Sequence, residues 1–492
     1  MAMIKLEPVR AVPTAVAVGL TLLIWFVVPV PQGVSENAWQ LLALFVGTIA
    51  AIIGKALPIG GVSIVAISLV AITGVTNPGN PKAALADALS GFSNELIWLI
   101  GISIMVSMSL NKTGLGARIG YFLISLFGKR TLGIAYALAL TETVLAPVTP
   151  SNTARGGGII HPIMRSIADS FNSHPKPGST ERIGRYLALV NYNTNPITSA
   201  MFITATAPNP LIVTLIYQGT DPSFQLTWAM WAIAAFVPGI VSLIVMPIVI
   251  YFMYRPEIRQ TPDAPEFAKR QLAELGPLST PEKVTLGVFI LLLVMWAGVP
   301  AMLFGDAWLI NPTAAAFVGM SILLLTGVLK WDDALANKGA WDTVVWFSAL
   351  VMMAGFLGKL GLVAWLAQSV EVGIAGFGLN WVIGMLLLVL VYVYTHYFFA
   401  STTAHITAMF AAFFAAGIAL GAPPMLLGLT LAFSSSLMMS LTHYGTGTAP
   451  IVFGSGYTTL GEWWKVGFVM SVVNLAIWFF IGSVWWKVLG YW

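Results

Sequence analysis

Residues 229–254, AMWAIAAFVPGIVSLIVMPIVIYFMY, carry no charged side chain. About 20 such residues in a helix cross the hydrocarbon core of a bilayer. In lipid every backbone N–H and C=O must be paired inside the structure, which leaves helices or closed barrels. Apolar stretches of helical span length recur near 11–30, 38–54, 57–76, 95–111, 186–217, 284–304, 311–329, 341–358, 422–457 and 466–488. Only 9% of the 492 residues are charged, against about 25% in a soluble domain. The chain therefore reads as an all-α polytopic membrane protein with the lipid bilayer as its main solvent.

Two further apolar stretches, 131–168 and 380–420, are broken in the middle by polar residues. Lys and Arg gather on the cytoplasmic side of membrane proteins, and they orient these stretches. Lys5 and Arg10 place the N-terminus inside, and Lys55, Lys112, Arg118, the segment Arg255 to Lys283, Lys330, Lys338 and Lys465 then also fall inside. Lys82 and Lys359 are exceptions. Cations flank 131–168 at both ends, so it is expected to enter from the cytoplasm and return as a helical hairpin. No Lys or Arg occurs from 360 to 464, so 380–420 is expected to enter from outside. Exposed backbone at such breaks is tolerated only beside protein or a water-filled cavity.

The halves repeat. KTGLGARI at 112–119 matches KLGLVAWL at 359–366, Ser151-Asn152-Thr153 matches Ser401-Thr402-Thr403, and TATAPNP at 204–210 matches TGTAPIV at 446–452, with offsets of 247, 250 and 242. By the loop assignment the copies have opposite orientation. The expected organisation is an extra span at 1–30, repeat 1 at 31–254 with its hairpin at 131–168, a cytoplasmic linker helix at 255–283, and repeat 2 at 284–492 with its hairpin at 380–420. Inverted repeats with broken helices near the bilayer midplane point to a secondary transporter and to its binding site.

A helix starting at a break offers unpaired N–H groups and a partial positive charge. Ser and Thr hydroxyls and the Asn amide add donors, an arrangement that suits a carboxylate, and two facing tips suit a dianion. The alternative for each triplet taken singly is an N-cap on an ordinary helix. Arg155 lies four residues after Ser151, and His405 four after Ser401. An intramembrane arginine is costly and usually functional. It either stands where a cation would offset the substrate's charge or pairs structurally with Glu142 or a helix C-terminus. For His405 a hydrogen-bonded core histidine is equally open. His161, His396 and His443 read as packing or orienting groups, and Trp463, Trp464, Trp485 and Trp486 fit interfacial belts.

The motif SNTARGGGIIHPI, the HYFFASTTAH stretch and the THYGTG run at 442–447 resemble the divalent anion/sodium symporter family over essentially the whole chain. The likeness is nearest its exchanger branch, the 2-oxoglutarate/malate translocators and the citrate or tartrate/succinate antiporters. The resemblance implies eleven spans plus two re-entrant hairpins, a homodimer, elevator-like motion, and substrate carboxylates held by Ser151, Asn152, Thr153, Ser401, Thr402 and Thr403. Thr402 departs from the Asn of sodium-coupled members. Sodium-coupled members have small or hydroxyl residues where Arg155 and His405 stand, and from that departure Arg155, with His405 when protonated, is expected to replace bound sodium. Thr206, Pro208 and Asn209, with Gly445, Thr446, Gly447 and Thr448, fall in unwound loops beside the tips.

The function expected is exchange of small dicarboxylates across a bacterial inner membrane, with malate and 2-oxoglutarate ahead of succinate, fumarate, tartrate and citrate. Sodium-coupled symport is the alternative. There are no cysteines and no G-x-S-x-G, no metal-ligand cluster is evident, and so an enzyme lacks support. No cofactor, metal or nucleic-acid partner is expected. The inverted repeat argues against a channel.

Overall fold

The computed structural model describes residues 9–220, 226–362, 364–365, 368–369 and 380–492. Among these residues there is no β-strand, and one isolated bridge joins Arg130 to Gln260. Among the described residues nine helices are long and apolar enough to cross a membrane, and Ala11–Val27, Ile59–Thr73, Leu115–Phe127 and Pro312–Leu325 are shorter apolar helices. The chain is an all-α, multi-span membrane protein.

Local chemistry sets the helix limits. Ser35, Asn94, Asn311, Ser279 and Thr459 each accept a bond from the first turn of the helix they precede, and Ser279 and Thr459 complete capping boxes with Glu282 and Glu462. These caps satisfy N–H groups that a helix leaves unpaired at its start. Trp228–Met253, the most apolar helix, tolerates Pro238 and Pro247 in its interior. The Tyr186 hydroxyl donates to the Pro247 carbonyl, 3.1 Å away.

The structure departs from the apolar runs in three places. The stretch 186–217 is two helices, Gly184–Met201 and Asn209–Gln218, separated by the turn that holds TATAP. Likewise 422–457 divides into Pro424–Leu437, a tight turn at Met438–Leu441 and Thr448–Gly454. Leu115–Phe127 is a helix of 13 residues that no span of 20 would contain. Two tryptophans are not in a belt: Trp463 is 2% exposed and Trp486 fully buried. Trp463 packs on Tyr192 with ring centroids 4.3 Å apart, and Trp486 donates to the Ala234 carbonyl. Their rings fill the core, while Trp464 remains exposed.

Helices Glu36–Ile53, Ile59–Thr73, Glu95–Thr113 and Lys338–Lys359 pack on one another. A small core of Leu41, Leu44, Ala66, Val70, Ala349 and Met353 joins three of them. Helices Thr131–Leu145, Trp228–Met253 and Pro424–Leu437 pack around Gly184–Met201. The cation-rich loops meet each other on one face. Lys112 pairs with Asp333 at 2.5 Å, Arg118 with Glu282 at 2.6 Å, and Arg185 with Glu462 at 3.0 Å. The backbone of Thr261 bonds to that of Lys129, and Ile258 to Arg182. The segment 255–283 carries a helix, Ala264–Glu274, lying on this face. In the second half, residues 370–379, with Val363 and Leu366 of KLGLVAWL, lie outside the described residues.

Candidate functional site

The two tips are built alike. Thr131–Leu145 ends in a tight turn at Ala146–Val148, Thr149 leaves the helical conformation, and a wide helical segment at Thr153–Ile160 runs into His161–Ser170. Trp381–Tyr394 ends in a tight turn at Thr395–Phe398, Ser401 is extended, and Thr402–Ala419 follows. Ser151 Oγ accepts from the Ala154 N–H at 3.1 Å, and Ser401 Oγ accepts from the Ala404 N–H at 3.4 Å. The Arg155 N–H bonds to the Ser151 carbonyl at 3.0 Å, and the His405 N–H bonds to the Ser401 carbonyl at 3.1 Å. Each serine thus caps a helix as an acceptor, and its own O–H remains free to donate.

A cleft of about 340 Å³ lies between the tips, at the small end of ligand cavities. Ser151, Asn152, Thr206, Pro208, Ser401, Thr402, Thr403, Thr446 and Gly447 line it, so residues from both halves converge on one space. Ile104, Pro150, Ala207, Gly339, Asp342, Thr343 and Ala400 complete the wall. Thr153, Asn209, Gly445, Thr448, Arg155 and His405 are not among the lining residues. Thr153 packs against Gly447. Asn209 is buried, and its amide donates to the carbonyls of Ser199 at 2.8 Å and Phe202 at 3.0 Å, at the end of Gly184–Met201. Gly445 offers its carbonyl to Thr402 Oγ1 at 3.1 Å.

Arg155 is fully buried, and all five of its guanidinium N–H groups are used. Nε lies 3.3 Å from Glu142 Oε1. Nη1 donates to the carbonyls of Thr149 and Ala205, each at 2.8 Å. Nη2 reaches the hydroxyls of Thr198 at 3.3 Å and Ser199 at 3.1 Å. The guanidinium therefore joins the first tip to the unwound loop at residues 202–208. Of the two sequence readings, the pairing with Glu142 is present, so the charge is compensated inside the protein.

His405 is also fully buried. Its Nδ1 lies 3.0 Å from Nδ1 of His396, and its ring stacks on Phe399 with centroids 4.6 Å apart. One ring of the pair must donate and the other accept, so at most one carries both protons while the bond stands. His161 is buried without a hydrogen-bond partner, and His443 accepts from the Trp464 indole at 3.2 Å.

Sequence reasoning missed Asn195. Its amide nitrogen donates to Glu142 at 2.6 Å and to the Asn152 carbonyl at 3.1 Å. Its oxygen accepts from Asn152 and Thr448, each at 3.2 Å. Asn152 also donates to Thr446 Oγ1 at 2.8 Å. Gly156 lets the first tip approach this hub, because a Cβ there would lie 2.8 Å from the Asn195 nitrogen. The signal was the run NYNTNP at 191–196, polar residues on a helix that is buried throughout.

Comparison with known proteins agrees in scope. A family model described as the sodium:sulfate symporter transmembrane region matches residues 10–492. The chain is 48% identical over 490 residues to a putative malate transporter, YflS, of Bacillus subtilis, covering 99% of this chain and 98% of that protein. It is 43% identical over 470 residues to the chloroplastic dicarboxylate transporter 1 of Spinacia oleracea, covering 96% of this chain and 80% of that protein. Among solved structures, the YdaH transporter of Alcanivorax borkumensis superposes with a TM-score of 0.55 at 12% identity, covering 88% of this chain and 98% of that one. That last likeness is one of fold alone.

Proposed function

The chain belongs to the divalent anion/sodium symporter family, a family of transporters and not of enzymes, and from that premise we propose that it exchanges small dicarboxylates without sodium. The observation that carries the reading is the cleft itself. Two helix starts, one from each half, present Ser151, Asn152, Ser401, Thr402 and Thr403 to the same space. Helix N-termini and uncharged donors on opposite walls match a short chain with a carboxylate at each end. The relatives named for malate and dicarboxylates support malate as the first acid to test.

Sodium independence rests on Arg155. Its Nη1 sits between two backbone carbonyls, from the tip and from the unwound loop, a setting in which a small cation would otherwise bind oxygen. A fixed guanidinium organises the tip without a mobile ion. His405 is only its positional equivalent in the second half, held by His396 and aromatic rings. Because Glu142 compensates Arg155, obligatory exchange follows from the donors and not from a stranded charge. The empty cleft holds free hydroxyls and helix-start N–H groups, which lose water as they pass an apolar wall. A bound dianion satisfies them, so the loaded carrier moves and the empty one stays. The motion proposed is elevator-like, in a homodimer of a bacterial inner membrane, with the hairpins 131–168 and 380–420 re-entrant from opposite sides.

Counterflow from malate-loaded liposomes into choline or potassium buffer tests this. Uptake of labelled malate, with unlabelled 2-oxoglutarate, succinate and fumarate competing, is the expected result. Uptake that requires sodium, or that proceeds at the same rate into empty liposomes, would return the protein to symport.

A further inference from the structure

We infer that Asp342 is a fixed negative charge facing the bound substrate, which weakens dianion binding in this conformation and promotes release toward the cation-rich face. The inference deepens the exchange reading and rests on it. Among the described residues lining the cleft, Asp342 is the one that carries a formal charge, and its sign is the same as the substrate's. It belongs to the wall opposite the tips, beside Gly339 and Thr343, in the first turns of Lys338–Lys359. That end of the helix abuts the face where Lys112 pairs with Asp333.

The carboxylate is seated, not free. Helix Ile59–Thr73 begins after Pro58, which gives it no side-chain cap. Asp342 Oδ1 lies against Gly60 in the first turn of that helix, so close that a Cβ on Gly60 would overlap it. A carboxylate oxygen there can accept from the N–H groups that a helix start leaves unpaired. Asp342 makes no ion pair among the described residues. An ionised carboxylate only accepts hydrogen bonds, so it cannot serve as a ligand for the acid as the tip hydroxyls can. What remains is repulsion across the cleft, and it acts only while the tips lie opposite this end of Lys338–Lys359. Tips carried further along that helix would leave it behind. The result is a low-affinity side and a higher-affinity side for the same set of ligands.

The test compares Asp342→Asn and Asp342→Glu in the full-length protein, reconstituted with known orientation, with labelled malate offered from each face. Asn keeps an acceptor for the start of Ile59–Thr73 and removes the charge. At the cation-rich face, Asp342→Asn should lower the half-saturating malate concentration about 3- to 20-fold and slow turnover, as expected for lost like-charge repulsion through a partly wet cleft. The opposite face should change less than about twofold, and Asp342→Glu should behave as the wild type. If Asp342→Asn does not fold, Asp342→Ser makes the same change of charge. An unchanged or weaker malate affinity at that face, or an equal gain at both faces, overturns the inference. Wild-type protein that exchanges no dicarboxylate removes the functional reading itself, a separate result read in the same vesicles.

Discussion

The first tip and the second tip start from one plan and diverge at the fourth residue of the helix. At the first, Arg155 is held by a carboxylate, two carbonyls and two hydroxyls. At the second, the equivalent His405 makes a single side-chain bond, to His396, and is otherwise packed among aromatic rings. The backbone and serine caps are nearly superimposable in pattern, yet one tip is locked into its surroundings by charge and the other is wedged by shape. The likeness of the two tips thus extends to the hydroxyls that line the cleft and stops at the groups behind them.

The largest test of that contrast is removal of one partner of the ion pair. Arg155→Gln leaves Glu142 buried without its cation, a loss of about 3–5 kcal/mol. Little folded protein should survive purification, as read by thermal unfolding in detergent, and Arg155→Gln combined with Glu142→Gln should recover much of the loss. His405→Gln should stay folded, because it gives up one hydrogen bond worth about 0.5–1.5 kcal/mol and ring packing of similar size, less than a stranded buried charge costs. Equal damage from the two single changes would end the distinction between the tips. Next in size is Asn152→Ala, which removes the amide that donates to Asn195 and Thr446 and so holds the first tip at the cleft, for a loss of about 1–3 kcal/mol. Malate affinity should fall roughly 5- to 150-fold at 1.4 kcal/mol per tenfold. Thr402→Ala, at the equivalent place in the second half, should lose about 2- to 10-fold, and a loss as large as that of Asn152→Ala would make the triplets functionally equal. The smallest effect belongs to Thr153→Ala. Its side chain packs on Gly447 outside the cleft lining, so affinity should change by less than about threefold, as for a change away from the ligand. An affinity loss matching Asn152→Ala would place it in contact with the acid.

Much of this architecture is written in local pattern, and some is not. The apolar runs announced the helices because lipid permits little else. The Ser-Asn-Thr and Ser-Thr-Thr triplets stand out as polar residues in apolar stretches, and the structure brings all of their residues except Thr153 to one cleft. Leu115–Phe127 went unread because 13 residues between Gly114 and Gly128 fall short of a span. The run 186–217 reads as continuous because Phe202 and Ile203 keep it apolar across the break. Asn195 and Asp342 escaped for a different reason. Their roles are defined by partners from distant segments, Glu142 and Thr448 for one, Gly60 and the tips for the other. Spacing along a chain does not report such meetings. The depth of Trp463 and Trp486 was hidden in the same way, since an amphipathic ring suits a core as well as an interface.

The hydrogen bonds around Asn195 also impose an order on how the protein is made. Thr448 lies 253 residues after Asn195, and Thr446 lies 294 after Asn152. At roughly 5–20 residues per second of synthesis, Asn195 enters the membrane about 13–50 s before Thr448 exists. During that interval NYNTNP must be shielded by water, by the insertion machinery or by neighbouring helices of the first half. Maturation of the binding cleft is therefore tied to completion of the last tenth of the chain, and a ribosome that stalls before Thr446 leaves an inserted but unfinished first half for quality control to find.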